Sequence, residues 1–186
     1  MSQERDKNRG QGPRRPPGPG AKGPRPGPAP KRRGGLSLSR LGGDDFEIVH
    51  PRCVREMELD FEEGIELRKA GDPEAARDAL RYALQGCGDN LWVHVALGRL
   101  ALEDFRDPSL ARGHFGYAFE LAERAFPPGF RGRLPRHRPS NRPFYDAVAG
   151  LAECYDALSK PEEAARLRAW AAALAGERPG PSAPSK

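Results

Sequence analysis

The chain has 186 residues and a formal net charge of +5, and its 22 glycines and 20 prolines are spread unevenly. No run approaches the roughly 18 consecutive apolar residues of a membrane-spanning helix, so the sequence predicts no membrane span. The three cysteines, Cys53, Cys87 and Cys154, lack the paired spacing of zinc or redox motifs, and no apolar secretory segment starts the chain. Together these features predict a cytoplasmic protein that has no membrane partner.

The first 43 residues form a basic segment rich in Gly, Pro and Arg, with 11 Lys and Arg against 2 Asp and Glu. Such a segment buries too little apolar surface to offset the backbone entropy lost on ordering, about 1–2 kcal/mol per residue. We therefore predict a disordered basic arm over residues 1–43, with local polyproline character around Pro13–Pro30. The Pro-rich residues 177–186 are predicted to be a disordered tail, which leaves residues 44–176 for one compact domain.

The apolar periodicity of this domain predicts helices that start at proline and end at glycine. The first begins near Pro51 and ends at Gly71, and Asp72-Pro73 starts the second, which ends at Gly86. Asp89 or Asn90 caps the third helix.

Three further helices follow. Asp107-Pro108 opens the fourth, and the sixteen residues 127–142 are too rich in Pro and Arg to be helical. Pro143 starts the fifth helix, and the sixth runs from Pro161 to Gly176. Six helices in three antiparallel pairs predict an all-α fold.

Small residues recur at fixed offsets on these helices. One set is Gly64, Leu67, Gly71 and Ala76, and the other is Ala152, Tyr155, Ser159 and Ala164. Between them, Leu97-Gly98 lies 34 residues beyond Glu63-Gly64, with one extra residue before Ala111. A 34-residue period of this kind resembles the tetratricopeptide repeat (TPR) over about 120 residues.

The TPR resemblance implies a right-handed solenoid of three helix pairs, in which the small residues let paired helices approach closely. Segment 127–142 is a departure, because it places the third repeat 54 residues after the second. Either it is a loop that leaves the stack intact, or the third pair docks differently. No polar capping helix follows Leu174, so a second copy of the chain or another partner is one way to cover the last apolar face.

By resemblance, the protein is a non-catalytic adaptor or scaffold that binds a segment of a partner protein in a concave groove lined by the first helix of each pair. The predicted groove residues are Phe61, Ile65, Arg68, Trp92, Val95, Arg99, Leu102, Glu153 and Asp156. The Lys and Asn residues with which some TPR proteins hold a peptide's terminal carboxylate are missing there. Trp92 has two interpretations, as packing between repeats or as an anchor for the bound segment.

An alternative function is association with RNA or the ribosome through the basic segments, by charge and with little sequence preference. The predicted phosphate contacts are Arg14, Arg15, Lys31, Arg32, Arg33, Arg131, Arg133, Arg136, Arg138 and Arg142. The competing interpretations are a solubilising tail and a contact with the acidic body of the same or a neighbouring chain.

Two patterns suggest chemistry but lack its other requirements. Residues 40–46, Arg-Leu-Gly-Gly-Asp-Asp-Phe, resemble the GGDEF signature of diguanylate cyclases, but that chemistry needs an α/β domain, so we interpret them as part of a linker. His50 and Cys53 supply two metal ligands where zinc needs at least three, and His94, His114 and His137 are scattered. The sequence therefore predicts no metal, no cofactor and no enzymatic activity.

Overall fold

The computed structural model describes residues 35–177, which form a mostly helical domain with one small sheet. Its elements are β1 (Ser37–Gly42), β2 (Asp45–Val49), α1 (Cys53–Glu56), α2 (Glu58–Lys69), α3 (Pro73–Gly86), α4 (Leu91–Arg99), α5 (Pro108–Glu123), α6 (Arg142–Ala157) and α7 (Pro161–Ala175). A π-helical turn, Leu100–Asp104, continues α4, and a 3₁₀ turn, Pro139–Asn141, precedes α6. The predicted basic arm up to residue 34 and the tail from residue 178 lie outside the described residues.

The predicted starts of three helices are confirmed by their caps. The side chains of Asp72 and Asp107 accept hydrogen bonds from Ala75 N at 3.0 Å and Leu110 N at 2.9 Å, and a proline follows each cap. Asn90 caps α4. These side chains satisfy backbone N–H groups that have no partner within the helix.

The first predicted helix is wrong as a single element, because the chain turns at Met57 between α1 and α2. Cys53 forms a disulfide with Cys87, just after α3, and Met57 packs against the bare Gly86. These two contacts hold α1 against the end of α3. This disulfide was not predicted from the sequence, and Cys154 is the free cysteine.

The recurring small residues lie where consecutive helices touch. A Cβ atom on Gly64 of α2 would come within 2.6 Å of Leu80 Cγ in α3, and one on Gly98 of α4 within 2.7 Å of the Phe115 ring in α5. Consecutive helices pack as α2 on α3, α4 on α5 and α6 on α7, and α6 also packs on α4 and α5. Glycine is needed at these two contacts because any side chain would push the helices apart.

A π-helical turn accommodates the extra residue that the sequence has between Gly98 and Ala111. Phe105 N donates to Leu100 O at 3.1 Å, a bond that spans five residues instead of four. One residue inserted into a helix produces this kind of turn without breaking the helix. Both Leu100 and Ala101 remain buried within it.

Residues 37–49 form an antiparallel β-hairpin, which corrects the prediction of disorder for residues 37–43 and of a purely all-α fold. The two-residue turn Gly43-Asp44 joins the strands, and the positive φ of 54° at Gly43 suits glycine. The predicted linker at residues 40–46 is therefore this turn and its flanking strand ends. Ile48 is buried, and Leu36 and Leu38 pack against the same core.

The Arg-rich segment 127–142 is non-helical as predicted, except for its 3₁₀ turn and for Arg142, which begins α6. The segment is bound to the domain along its length. Phe46 N donates to Arg133 O at 2.8 Å, and Leu134 N donates to Leu174 O at 2.8 Å. The buried Asn141 accepts from Ile48 N at 2.8 Å and donates to Phe46 O at 3.1 Å. The segment thus connects the hairpin to α7 and completes the core around Leu134 and Phe144.

Across residues 35–177, no helix has the length and apolar character to cross a membrane.

Candidate functional site

Two of the predicted groove residues, Phe61 and Trp92, line one pocket of about 840 Å³. We call it the Phe61–Trp92 pocket. Its wall also includes His50, Pro51, Arg52, Val54, Arg55, Glu56, Glu58 and Asn90. The pocket combines aromatic and apolar surface with four charged side chains, so it is more polar than a typical small-molecule cleft.

Helix capping positions Trp92 at this pocket. Asn90 is 1% exposed, and its Oδ1 accepts from Trp92 N at 3.1 Å and Val93 N at 3.4 Å. The cap fixes the first turn of α4, so Trp92 has a defined place beside the end of β2. Both Trp92 and Phe61 are half-buried and keep accessible ring surface.

His50 forms the aromatic neighbour of Trp92, with ring centroids 4.0 Å apart. His50 Nε2 lies 2.7 Å from Ser140 O; because a carbonyl oxygen only accepts, Nε2 carries the proton. Burial lowers the pKa of His50, although the bond to Ser140 opposes the shift. The ring is therefore neutral at pH 7 and supplies a flat surface against Trp92.

Four charged residues surround the apolar part of the pocket. Arg52 and Glu56 pair at 3.2 Å, and Arg55 and Glu58 are exposed. Arg52 to Glu56 form the α1 wall, which the sequence did not indicate as a site. One sequence feature was related to this wall: Cys53 and Cys87 are 34 positions apart, the same spacing in sequence as Gly64 and Gly98.

The other predicted groove residues are engaged inside the domain. Arg68 bonds Asp104 Oδ2 at 2.7 Å and Glu103 Oε2 at 2.8 Å, and Arg99 forms two hydrogen bonds with Glu153. These ion pairs connect α2 to the π-helical turn and α4 to α6. Asp156 pairs with Arg168, whereas Ile65, Val95 and Leu102 pack against core clusters.

Ion pairs also engage most of the predicted phosphate contacts in segment 127–142. Arg133 pairs with Asp45 at 2.7 Å, Arg136 with Glu177 at 2.8 Å, Arg138 with Glu47 at 3.4 Å and Arg142 with Asp146 at 3.8 Å. Arg131 is exposed and has no ion pair among residues 35–177. The predicted contacts Arg14, Arg15, Lys31, Arg32 and Arg33 lie outside the described residues.

A second, smaller pocket lies beside two histidines, with a volume of about 470 Å³ and a largely apolar wall that includes Leu84, Leu110 and Tyr117. His94 and His114 have ring centroids 6.1 Å apart. Desolvation lowers the pKa of His114 to about 4, with smaller contributions from His94 and Arg81.

Stability should therefore fall on mild acidification. The unfolded chain binds a proton at His114 near its ordinary pKa of 6.5, while the folded chain resists protonation down to about 4. The stability that the neutral ring contributes is present above pH 6.5 and is lost as the pH falls towards 4. We expect the melting temperature of a His114→Gln variant to fall less than that of the parent between about pH 7.5 and 4.5. Equal falls would contradict this assignment.

No group of three or more His, Cys, Asp and Glu side chains in the described part of the chain is close enough together to hold a metal ion. The two residues that the sequence offered as metal ligands, His50 and Cys53, do not form a pair of ligands, because the sulfur of Cys53 is bonded to Cys87.

Comparison of the chain with models of known protein families, with curated proteins and with solved structures gives no match. The TPR resemblance therefore stays a prediction.

Proposed function

We propose that this chain is a non-catalytic, TPR-like adaptor that binds a segment of a partner protein in the Phe61–Trp92 pocket. The observation that carries the proposal is the meeting of Phe61 and Trp92, 31 positions apart in sequence, at one open pocket. In this proposal, α2, α4 and α6 are the first helices of three repeats. Support comes from the close approach of α2 to α3 at Gly64 and of α4 to α5 at Gly98.

The chemistry of the pocket favours a segment with at least one large apolar side chain. Trp92, Phe61 and Val54 offer apolar surface, and a buried aromatic or aliphatic anchor supplies most of the affinity at such sites. Arg55 and Glu58 at the margin would bind polar groups of the segment. The fold engages the other predicted groove residues in ion pairs or in core packing, so we restrict the site to this pocket.

The decisive experiment selects ligands without assuming their identity. A displayed library of random peptides is selected on the immobilised full chain, and the recovered peptides are measured by fluorescence anisotropy. Phe61→Ala and Trp92→Ala should each weaken binding by about thirtyfold, the loss of a hot spot worth about 2 kcal/mol. Tyr82→Ala is the matched control, because Tyr82 is an exposed aromatic of α3 outside this pocket. Peptides that bind all four proteins equally would refute the pocket assignment.

Association with RNA is the competing function. The ion pairs of the arginines in segment 127–142 weigh against this segment as the main RNA-binding site. Four of its five arginines already pair with carboxylates, which lowers the charge available to phosphate. A fluorescent single-stranded RNA in place of the peptide separates the two functions. RNA binding that falls steeply with salt and survives Trp92→Ala would favour the alternative.

A cytoplasmic location is part of this proposal, and fractionation of the producing cells tests it. In that compartment thiol reductants normally keep cysteines reduced. The Cys53–Cys87 pair would then change state with the thiol balance of the cell.

A further inference from the structure

The disulfide joins a weakly supported helix to a buried position. Cys53 is the first residue of α1, which has four residues and no buried side chain. Cys87 directly follows α3 and is 2% exposed. Their Cα atoms are 5.3 Å apart. The covalent bond therefore joins a short surface helix to the core of the domain.

Without the disulfide, α1 would be held mainly through its flanking residues. Its hydrogen bonds are local, such as Val54 N to Pro51 O at 3.0 Å and Met57 N to Cys53 O at 3.0 Å. A single helical turn is unstable by itself, since too few hydrogen bonds repay the ordering of its backbone. The contact of Met57 with Gly86 would remain after the turn, and the hydrogen bond of His50 with Ser140 would remain before it.

The anchored element is also a wall of the proposed binding pocket. Arg52, Val54, Arg55 and Glu56 line the pocket with Phe61 and Trp92. Movement of α1 would change the shape and the charge of that pocket directly.

We propose that the Cys53–Cys87 disulfide is a redox latch that sets the shape of the Phe61–Trp92 pocket. When oxidised, it holds the α1 wall in place; when reduced, it releases the wall and exposes Trp92. This inference rests on the proposed function, because it concerns regulation of the same pocket. Disulfides in reducing compartments are usually transient and sensory, which agrees with such a role.

The chemistry is thiol–disulfide exchange with a dithiol reductant. A thiolate of the dithiol attacks Sγ of Cys53, which is less buried than Cys87, and the Cys53–Cys87 bond breaks as Cys87 leaves as a thiolate and takes up a proton. The second thiol of the reductant then displaces Cys53, which also gains a proton. Two electrons and two protons pass to the protein, and the dithiol becomes a cyclic disulfide.

Cys154 takes no part in this exchange. It is buried in the core, and burial raises the pKa of its thiol to about 11. Because the thiolate is the reactive form, Cys154 stays unreactive at neutral pH while the domain is folded.

A thiol titration tests the chemical step on the full chain. We expect no rapidly reacting thiol in the oxidised folded protein and one after denaturation without reductant. In the folded protein after dithiothreitol treatment and removal, Cys53 should react rapidly and the buried Cys87 more slowly. A rapidly reacting Cys53 before reduction, in protein purified in air, would overturn the latch.

Two measurements without any ligand test its effect on the pocket. Amide hydrogen exchange over residues 52–57 should accelerate at least about tenfold on reduction, because local opening becomes easier. In a Trp170→Phe background, which leaves Trp92 as the single tryptophan, acrylamide quenching should increase on reduction. The double variant Cys53→Ser/Cys87→Ser should match the reduced parent and ignore dithiothreitol, whereas Cys154→Ser should respond as the parent does.

Unchanged exchange and quenching on reduction would overturn the latch whether or not the pocket binds a peptide. If both change while no selected peptide depends on Phe61 or Trp92, the latch stands and the proposed function fails. If a peptide is found whose binding depends on the pocket, its affinity for the oxidised and the reduced parent should differ at least about threefold. Equal affinities would show that the disulfide does not regulate binding, which contradicts the inference.

Discussion

Replacing Gly150 with valine should destabilise the domain by about 3 kcal/mol, the upper end of the usual cost of overpacking. A Cβ atom at this position of α6 would come within 2.6 Å of Phe115 Cε2, and Phe115 is fully buried between α6 and Gly98 of α4. The ring also packs against the bare Gly98, where an added Cβ atom would come within 2.7 Å of it, so both helices confine the ring. The urea midpoint of unfolding measures the effect.

The matched control is Gly113→Ala in α5. Apart from the nearby backbone of its own helix, no atom lies within 4 Å of a Cβ built there, so the substitution adds no clash. Alanine should raise the free energy of unfolding by about 0.5–1 kcal/mol, through the lower backbone entropy of the unfolded chain. Equal stabilities of the Gly150→Val and Gly113→Ala proteins would show that the helices do not meet at Phe115 as described.

Replacing Asn141 with leucine should cost about 3 kcal/mol or more and release the β-hairpin. The Asn141 side chain is fully buried and makes three hydrogen bonds, to Ile48 N at 2.8 Å, Phe46 O at 3.1 Å and Pro135 O at 3.2 Å. Leucine has a similar volume but leaves these backbone groups without partners, at about 1–3 kcal/mol for each buried group. Hydrogen exchange at the Ile48 amide should accelerate along with the loss of stability.

Ser140→Ala is the control for this substitution. Ser140 lies next to Asn141, and its hydroxyl donates to the partly exposed Glu47 at 3.1 Å. Its removal should cost no more than about 1 kcal/mol. If Asn141→Leu is as mild as Ser140→Ala, the amide does not clamp the hairpin.

Local signals explain which helices were predictable. Asp72-Pro73 and Asp107-Pro108 each combine a side-chain acceptor with a proline preset for the first helical turn, and both starts are confirmed. The residues involved are adjacent in the chain, so the sequence contains the whole interaction. The spacing of Gly64 and Ala76 was equally informative, because it records where one helix touches the next.

The hairpin was missed because composition outweighed pattern. Leu36 and Leu38 alternate with serine, Phe46 and Ile48 alternate with a glutamate, and Gly42-Gly43-Asp44 lies between them. This is a recognisable hairpin signal. Few apolar residues occur there, however, and the core that stabilises the strands comes from Leu134 and Phe144, about 90 residues further along.

The sequence predicted two residues of the candidate site and missed the others, because residues far apart in the chain decide which side chains remain available. Trp92 and Phe61 were placed on the correct helices, but the sequence could not show that Arg68 and Arg99 would be engaged by acids from other helices. Nor could it show that α1 would become a wall of the pocket. Both outcomes depend on pairs of side chains that are far apart in the chain.

By itself, the sequence determined most of the helices, three of their caps and the small residues at their contacts, because these depend on neighbours within a few positions or on a regular repeat. Only the tertiary structure decided the hairpin, the ion pairs of the arginine-rich segment and the Cys53–Cys87 bond. Apart from the Arg142–Asp146 pair within α6, each of these joins residues separated by 34 or more positions or relies on a core built from distant residues. Their free energy comes from burial and pairing that exist only after the helices have packed.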